Sequence, residues 1–546
     1  MRLLAFFAIG AAALLPGIAH AQVRDVVEAS APSDLAVTIY RDPDRAPDED
    51  INRNNPEGFA MVSETRTVTL PAGESTIRFV GVSEGMVGVS AIVTGLPGGT
   101  IEKNRNAELL SPAALVNGSL GNRVTITRTN SATGASQSER AIVRTRADGG
   151  LVLQTNQGFE AVRCAGVPEK LTFDGVPSNL SAKPIYSVDT RSDSGGTYEV
   201  TLTYLSWGFD WQANYVATLG EKADGDEFTM NWLSWLTLVN DNGQSFDNAN
   251  LQIIAGKLNV DSDYEDLADP PVARPLRLSC YPIGSTSRGS PVPSYGYAGA
   301  PPPPPPAPVA FAEADLITVT GSRRRDAQQK TAAAVSVVTA TEENLGDLKL
   351  FRVPSRVDVS AKGMKQVAFL NKDAVKGRFL YIAECEPYEW IEELDDPRSA
   401  DMLLVTKNED KRGLGIALPQ GQMNVFEPTS RGPQLAASTD LRDYARGQDI
   451  ELPIGNSAHV FSQCGRSNET EYDDDSRKWT KMTTKLTNAN PHDVKMRLKL
   501  GWSGDFQIRF RRHKVAVKNG YDSVEVTIPA NSTREFKWKI RSSTAP

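Results

Sequence analysis

The chain has 546 residues, 40% hydrophobic and 23% charged, which fits a globular protein of two to four domains. Its 59 Lys and Arg stand against 67 Asp and Glu, for a formal charge of -8. That balance argues against nonspecific binding to nucleic acid or to an anionic membrane surface, both of which need a positive surplus, and leaves a neutral or cationic partner, or a protein.

Residues 1–21 read as a signal peptide. Arg2 supplies the positive start, Leu3 to Ile18 the apolar run, and Ala19-His20-Ala21 the cleavage site. No later stretch approaches 18 uninterrupted apolar residues, so no membrane-spanning helix is predicted. The expectation is export to the periplasm of a Gram-negative bacterium, free or against the outer membrane.

An all-β chain is predicted beyond that point, with helical periodicity almost absent. Leu35, Val37 and Ile39 alternate, and a loop follows from Asp42 to Pro56. Thr67 to Leu70 and Ile77 to Val82 flank the turn Pro71-Ala72-Gly73-Glu74 as a hairpin. Val87 to Val93 adds a strand before Leu96-Pro97-Gly98-Gly99, so residues 30–108 read as a small β-sandwich. Short strands at Val124 to Ile126, Ala141 to Val143 and Leu151 to Leu153 predict a small β-barrel over 109–189.

The segment from Thr197 to Gly256 is the most strongly patterned. Apolar residues fall on even positions up to Tyr204 and on odd ones from Phe209, a phase change at Gly208 that predicts a bulge. Tyr204, Trp207, Trp211, Tyr215, Trp232 and Trp235 form the predicted aromatic core, with burial preferred to an exposed glycan platform. Residues 283–344 include the run Pro301 to Pro306 and read as a disordered, flexible linker. Strands then resume, so that 190–282 and 345–546 are read as one interrupted β-sandwich.

Several segments carry a resemblance. Tyr204 to Tyr215, Trp235 to Asn240 with Leu251 to Gly256, Leu348 to Val367, and Asn408 to Phe426 are similar to the C-terminal domain of mucoidy inhibitor A-like bacterial proteins, a domain of unknown function. The resemblance spans about residues 190–546. It implies a β-sandwich and no catalytic residues, and the usual coiled coil before the domain is missing here. Asp315 to Arg323, followed by Val335 to Ala340, resembles the start of a TonB-dependent receptor. That likeness implies a partner-binding strand at Leu316, Ile317, Val319, Thr320 and Gly321. The rest of the chain lacks the strands of an outer-membrane barrel.

Four cysteines in an exported chain permit two disulfides in three connectivities. Cys164 with Cys280 and Cys385 with Cys464 are preferred, against four buried thiols. Gly81-Val82-Ser83-Glu84-Gly85 fits the nucleophile elbow, but a strand is predicted after it where the elbow needs a helix. His459, His492 and His513 lack metal-ligand spacing. Asp261, Asp263 and Glu265 alternate without the glycine and bidentate glutamate of a calcium loop, and Asp473-Asp474-Asp475 reads as a charged loop. Arg509, Arg511, Arg512 and Lys514 form a basic stripe, read as a solvated face. No catalytic residue, metal or cofactor is predicted. The expected role is noncatalytic binding or scaffolding of an envelope protein or glycan. Docking to the TonB system is the alternative, and an envelope hydrolase comes third.

Overall fold

The computed structural model describes residues 24–46, 48–106, 109–130, 132–145, 151–162, 169–177, 180–222, 227–256, 258, 264–268, 340–385, 394–466 and 478–543. The expected signal peptide, most of the linker, Cys164, Cys280, Leu316 to Gly321, Asp261, Asp263 and Asp473 to Asp475 lie outside these residues. Among the described residues the protein is all-β, at 63% strand and 4% helix, and no sheet closes into a barrel. Two compact units are present. One comprises Met1–Ala107, Lys183–Pro271 and Val338–Pro546; the other comprises Glu108–Ala182 and Val272–Val337.

Among the described residues, three sheets of four, eight and thirteen strands build the larger unit. The strands before residue 108 form no sheet of their own. Phe59–Leu70 lies between Asp34–Tyr40 and Gly196–Trp207, while Gly73–Val80 belongs to the four-stranded sheet. The expected hairpin at Pro71 is therefore a crossing from one sheet to another. Alternation fixes which residues of a strand share a face, not which strand is its neighbour. The expected strand after Val87 is also shorter: Gly88–Ser90 is a 3-10 turn, and only Ile92–Thr94 pairs.

Gly208 repeats this sheet-switching device. Gly196–Trp207 pairs within the eight-stranded sheet, and Phe209–Lys222 pairs with Glu227–Asn240 and Gly421–Glu427 in the thirteen-stranded one. The glycine sits at φ 86° between them. The phase change in the sequence is thus a corner, not a bulge within one strand. It lets Val200, Leu202 and Tyr204 on one side and Trp211 and Tyr215 on the other enter the same core.

Sheets also form across the undescribed segment after residue 268. Phe246–Ala255 pairs with Leu348–Arg352, and Glu227–Asn240 pairs with Gly363–Glu384. The 22-residue strand Gly363–Glu384 runs through two apolar clusters, contributing Phe369, Leu370 and Val375 to the first and Tyr381 and Ala383 to the second. In the second cluster the inner faces of two layers meet. Val494–Trp502 and Tyr521–Ile528 supply Met496, Leu498, Val524 and Val526, and Thr480–Asn488 and Ser532–Ser542 supply Met482, Leu486, Trp538 and Ile540. A disulfide between Cys385 and Cys464 joins the end of the long strand to Asp449–Arg466.

The smaller unit corrects the barrel expected over 109–189. Its five antiparallel strands run in the order Gly158–Ala161, Val152–Thr155, Ser136–Val143, Arg123–Thr129, Glu169–Phe173, and the first and last do not pair. Closure requires that pairing, and short strands at regular spacing do not specify it. A helix missed in the sequence, Pro112–Gly118, contributes Ala113 and Val116 to the core with Val124, Ile126, Ala141 and Leu153. Its start is nonetheless written locally: Ser111 Oγ accepts from the Ala114 amide, and Pro112 occupies the first turn.

Candidate functional site

Burial separates the aromatic residues into two groups. Tyr204, Trp211, Tyr215 and Trp232 are fully buried, with the Tyr215 and Trp232 rings edge to face at 6.2 Å. Trp207 and Trp235 are only partly buried, because each lies an odd number of residues from its strand's core positions. The group is structural packing around a sheet corner, and its buried members present no ring to solvent.

The elbow-like motif is likewise used internally. Ser83 is buried; its hydroxyl meets Ser206 Oγ and lies 2.8 Å from Asn242 Oδ1. The Gly85 amide donates to the same Asn242 oxygen, and the Gly243 amide donates to Glu84 at 3.0 Å. Tyr204 links this cluster to a buried ion pair, since its hydroxyl lies 3.1 Å from the Ser83 amide and donates to Glu64 at 2.8 Å, and Glu64 holds Arg66. No histidine reaches Ser83 in these contacts.

The three histidines separate. His459 and His492 line one cavity of about 480 Å³ with Phe228, Phe379 and Tyr381, a meeting that their spacing of 33 residues did not reveal. His513 packs edge-on against Phe510 at 5.6 Å. Among the described residues no three His, Cys, Asp or Glu side chains come together as a metal site. Of the basic stripe, Arg509 stacks over Trp479 at 4.3 Å, Arg511 and Arg512 are exposed, and Lys514 lines a different cavity.

That cavity is the candidate site. It is a cleft of about 1030 Å³ on the outer face of the thirteen-stranded sheet, lined by residues of six strands and of the 3-10 turn Asp410–Arg412. Eight cationic side chains and four carboxylates face it, so it carries a positive surplus in a chain of net charge -8. Most of the cations are held in place. Arg497 binds Glu451 through two 2.9 Å hydrogen bonds and Glu525 through Nε and Nη2. Lys518 reaches Asp449 at 2.8 Å, Lys407 and Lys411 both hold Glu409, and Arg412 turns to Glu227.

Three cations are left over. Lys376 and Lys514 have no carboxylate within 4.0 Å among the described residues, and Arg378 has only Glu525 at 3.9 Å. The Nη1 of Arg378 is buried without a hydrogen-bond acceptor. A buried donor without an acceptor costs about 1–3 kcal/mol, which an incoming anionic oxygen would recover.

Electrostatics keep the carboxylates charged. Hydrogen bonds from Lys407 and Lys411 hold Glu409 down at about 2, and Lys518 lowers Asp449. Burial opposes ionisation of Glu451, yet the hydrogen bonds and charge of Arg497 leave its carboxyl below the usual range. Burial likewise opposes the charge on Arg497, and its two glutamates more than restore it.

No family model, curated protein or solved structure matches the chain. The site rests on its own chemistry. Spacing hid it, because Lys376, Lys514 and Lys518 are brought together only when the long strand meets the C-terminal strands. Only Lys514, as part of the basic stripe, was visible beforehand.

Proposed function

We propose that this chain is a noncatalytic binding protein of the bacterial cell envelope, taking an anionic ligand in the basic cleft. The observation that carries the reading is the trio Lys376, Arg378 and Lys514, left without close carboxylates beside carboxylates that are already engaged. Arg378 is half-buried with one donor lacking an acceptor, and Lys376 and Lys514 are exposed beside it; cations free of close carboxylates in this way bind phosphate or carboxylate groups through charge-assisted hydrogen bonds. The leader-like residues 1–21 and the resemblance of about 190–546 to mucoidy inhibitor A-like proteins support the envelope assignment. The internal use of Ser83 supports binding over hydrolysis.

Calorimetric titration of the full chain with tripolyphosphate tests this reading. Saturable binding should weaken at least tenfold in Arg378→Glu combined with Lys514→Glu. Equal affinity in that variant, or no binding to the unaltered chain at moderate salt, contradicts it.

A further inference from the structure

The cleft does not end at Arg497. A second cavity of about 400 Å³ shares Glu451 and Arg497 with it and continues past Lys499, Asn519 and Tyr521. The two meet at the turn between Ala516–Lys518 and Tyr521–Ile528, where Lys518 faces Asp449 and the Asn519 amide donates to Glu451 at 3.1 Å.

One sheet face runs through both. On Val494–Trp502 the core takes Met496, Leu498 and Leu500, so Arg497 and Lys499 point outward. Strict alternation would place position 501 next on that face, but the ladder with Tyr521–Ile528 slips between Lys499 and Gly501. The bulge puts Trp502 there instead, paired with Tyr521.

Trp502 is 51% exposed, yet it is not a loose surface side chain. Its ring stacks on Tyr521 at 4.2 Å, and Lys499 Nζ lies 4.7 Å from the centre of the Tyr521 ring. Gly520, at φ 84°, leaves room for the indole, since a Cβ there would stand 2.9 Å from Cζ3. A half-exposed tryptophan stacked on Tyr521, a residue that lines the second cavity with Arg497, Lys499, Asp401 and Glu451, departs from the usual burial of this residue.

We propose that the ligand of the cleft is an acidic oligosaccharide, with a sugar ring stacked on Trp502 and acid groups held by Arg378, Lys376 and Lys514. This rests on the anion-binding reading and extends it. Sugar rings have an apolar C–H face that an indole matches and a hydroxyl rim that side chains such as Asn519 can meet, whereas phosphate chains and acidic peptides offer no such repeat. Four steps of the unbulged partner strand, from Glu525 to Tyr521, separate the positions of Arg497 and Trp502, about 13 Å at the usual rise. A ligand touching both is therefore extended.

Oligogalacturonate, a neutral malto-oligosaccharide and linear polyphosphate, each titrated into the full chain, distinguish the outcomes. Oligogalacturonate should bind, the neutral sugar should bind at least tenfold more weakly, and Trp502→Ala should weaken oligogalacturonate at least tenfold while leaving polyphosphate unchanged. Trp502→Phe should restore most of the loss, which guards against a folding defect. If Trp502→Ala binds oligogalacturonate normally, or if the neutral sugar binds equally tightly, the assignment to an acidic oligosaccharide is overturned. Anion binding would then still stand on the effect of Arg378→Glu with Lys514→Glu on polyphosphate. If no probe binds, both readings fall together.

Discussion

Ser83 and Asp210 show how residues with catalytic chemistry serve the interior. Removing the Ser83 hydroxyl leaves buried partners at Ser206 and Asn242 short of a hydrogen bond, so Ser83→Ala should cost about 1–3 kcal/mol in urea denaturation. An unchanged urea midpoint would contradict that structural role. Asp210 is buried against Arg45, whose Nη2 also donates to the Trp211 carbonyl at 2.6 Å. Burial pushes its carboxyl up to about 6, against the pull of Arg45 and the Asp42 and Trp211 amides. With an unfolded value near 3.9, the folded chain holds more protons between those limits, so this group's contribution to stability falls as pH rises from about 4 through 6. Asp210→Asn removes that slope. Its stability relative to the unaltered chain should therefore rise with pH by up to about 3 kcal/mol across that window, whatever the fixed cost of the lost pair.

At the scale of strands, the disulfide and one glycine make the pairing testable. Cys385 and Cys464 lie 79 residues apart with Cα atoms separated by 5.4 Å, and closing a loop of that length is worth about 4 kcal/mol on chain-entropy grounds. Reduction, or replacement of both cysteines by serine, should lower the thermal midpoint by several degrees or more; an unchanged midpoint counts against the bond. Gly421 pairs in parallel with Ala213, and a Cβ at 421 would collide with the Ala213 carbonyl oxygen. Gly421→Ala should destabilise the fold far more than Gly99→Ala, where φ is 67° but the space is open. Alternation made the strands legible from residues such as Val37, Ile39, Val200 and Leu202. It could not reveal partners, because a strand ending at Leu70 or Trp207 looks the same whether the chain folds back or crosses to another sheet. For the same reason the aromatic core was readable at Trp211 and Trp232, while the cleft, assembled from positions 376 to 525, was not.

For the larger unit as a whole, the decisive feature is the positive surplus gathered in its cleft. No histidine lines the cleft, and Glu409, Asp449 and Glu451 stay ionised below the ordinary carboxylate range. Affinity for oligogalacturonate should thus be nearly constant between about pH 5 and 8 and should fall in stronger acid, where the ligand's own carboxylates take up protons before those of the cleft. It should fall steeply with added salt, since exposed Lys376 and Lys514 are screened. A bell-shaped profile centred near neutrality would point to histidine, and hence to the cavity of His459 and His492. The most direct measurement is hydrogen-deuterium exchange of the full chain with and without saturating oligogalacturonate. Slowed exchange confined to the strands carrying Arg378, Arg497 and Lys518 and the turn to Tyr521 is the predicted result; protection elsewhere, with these segments unchanged, would contradict the account.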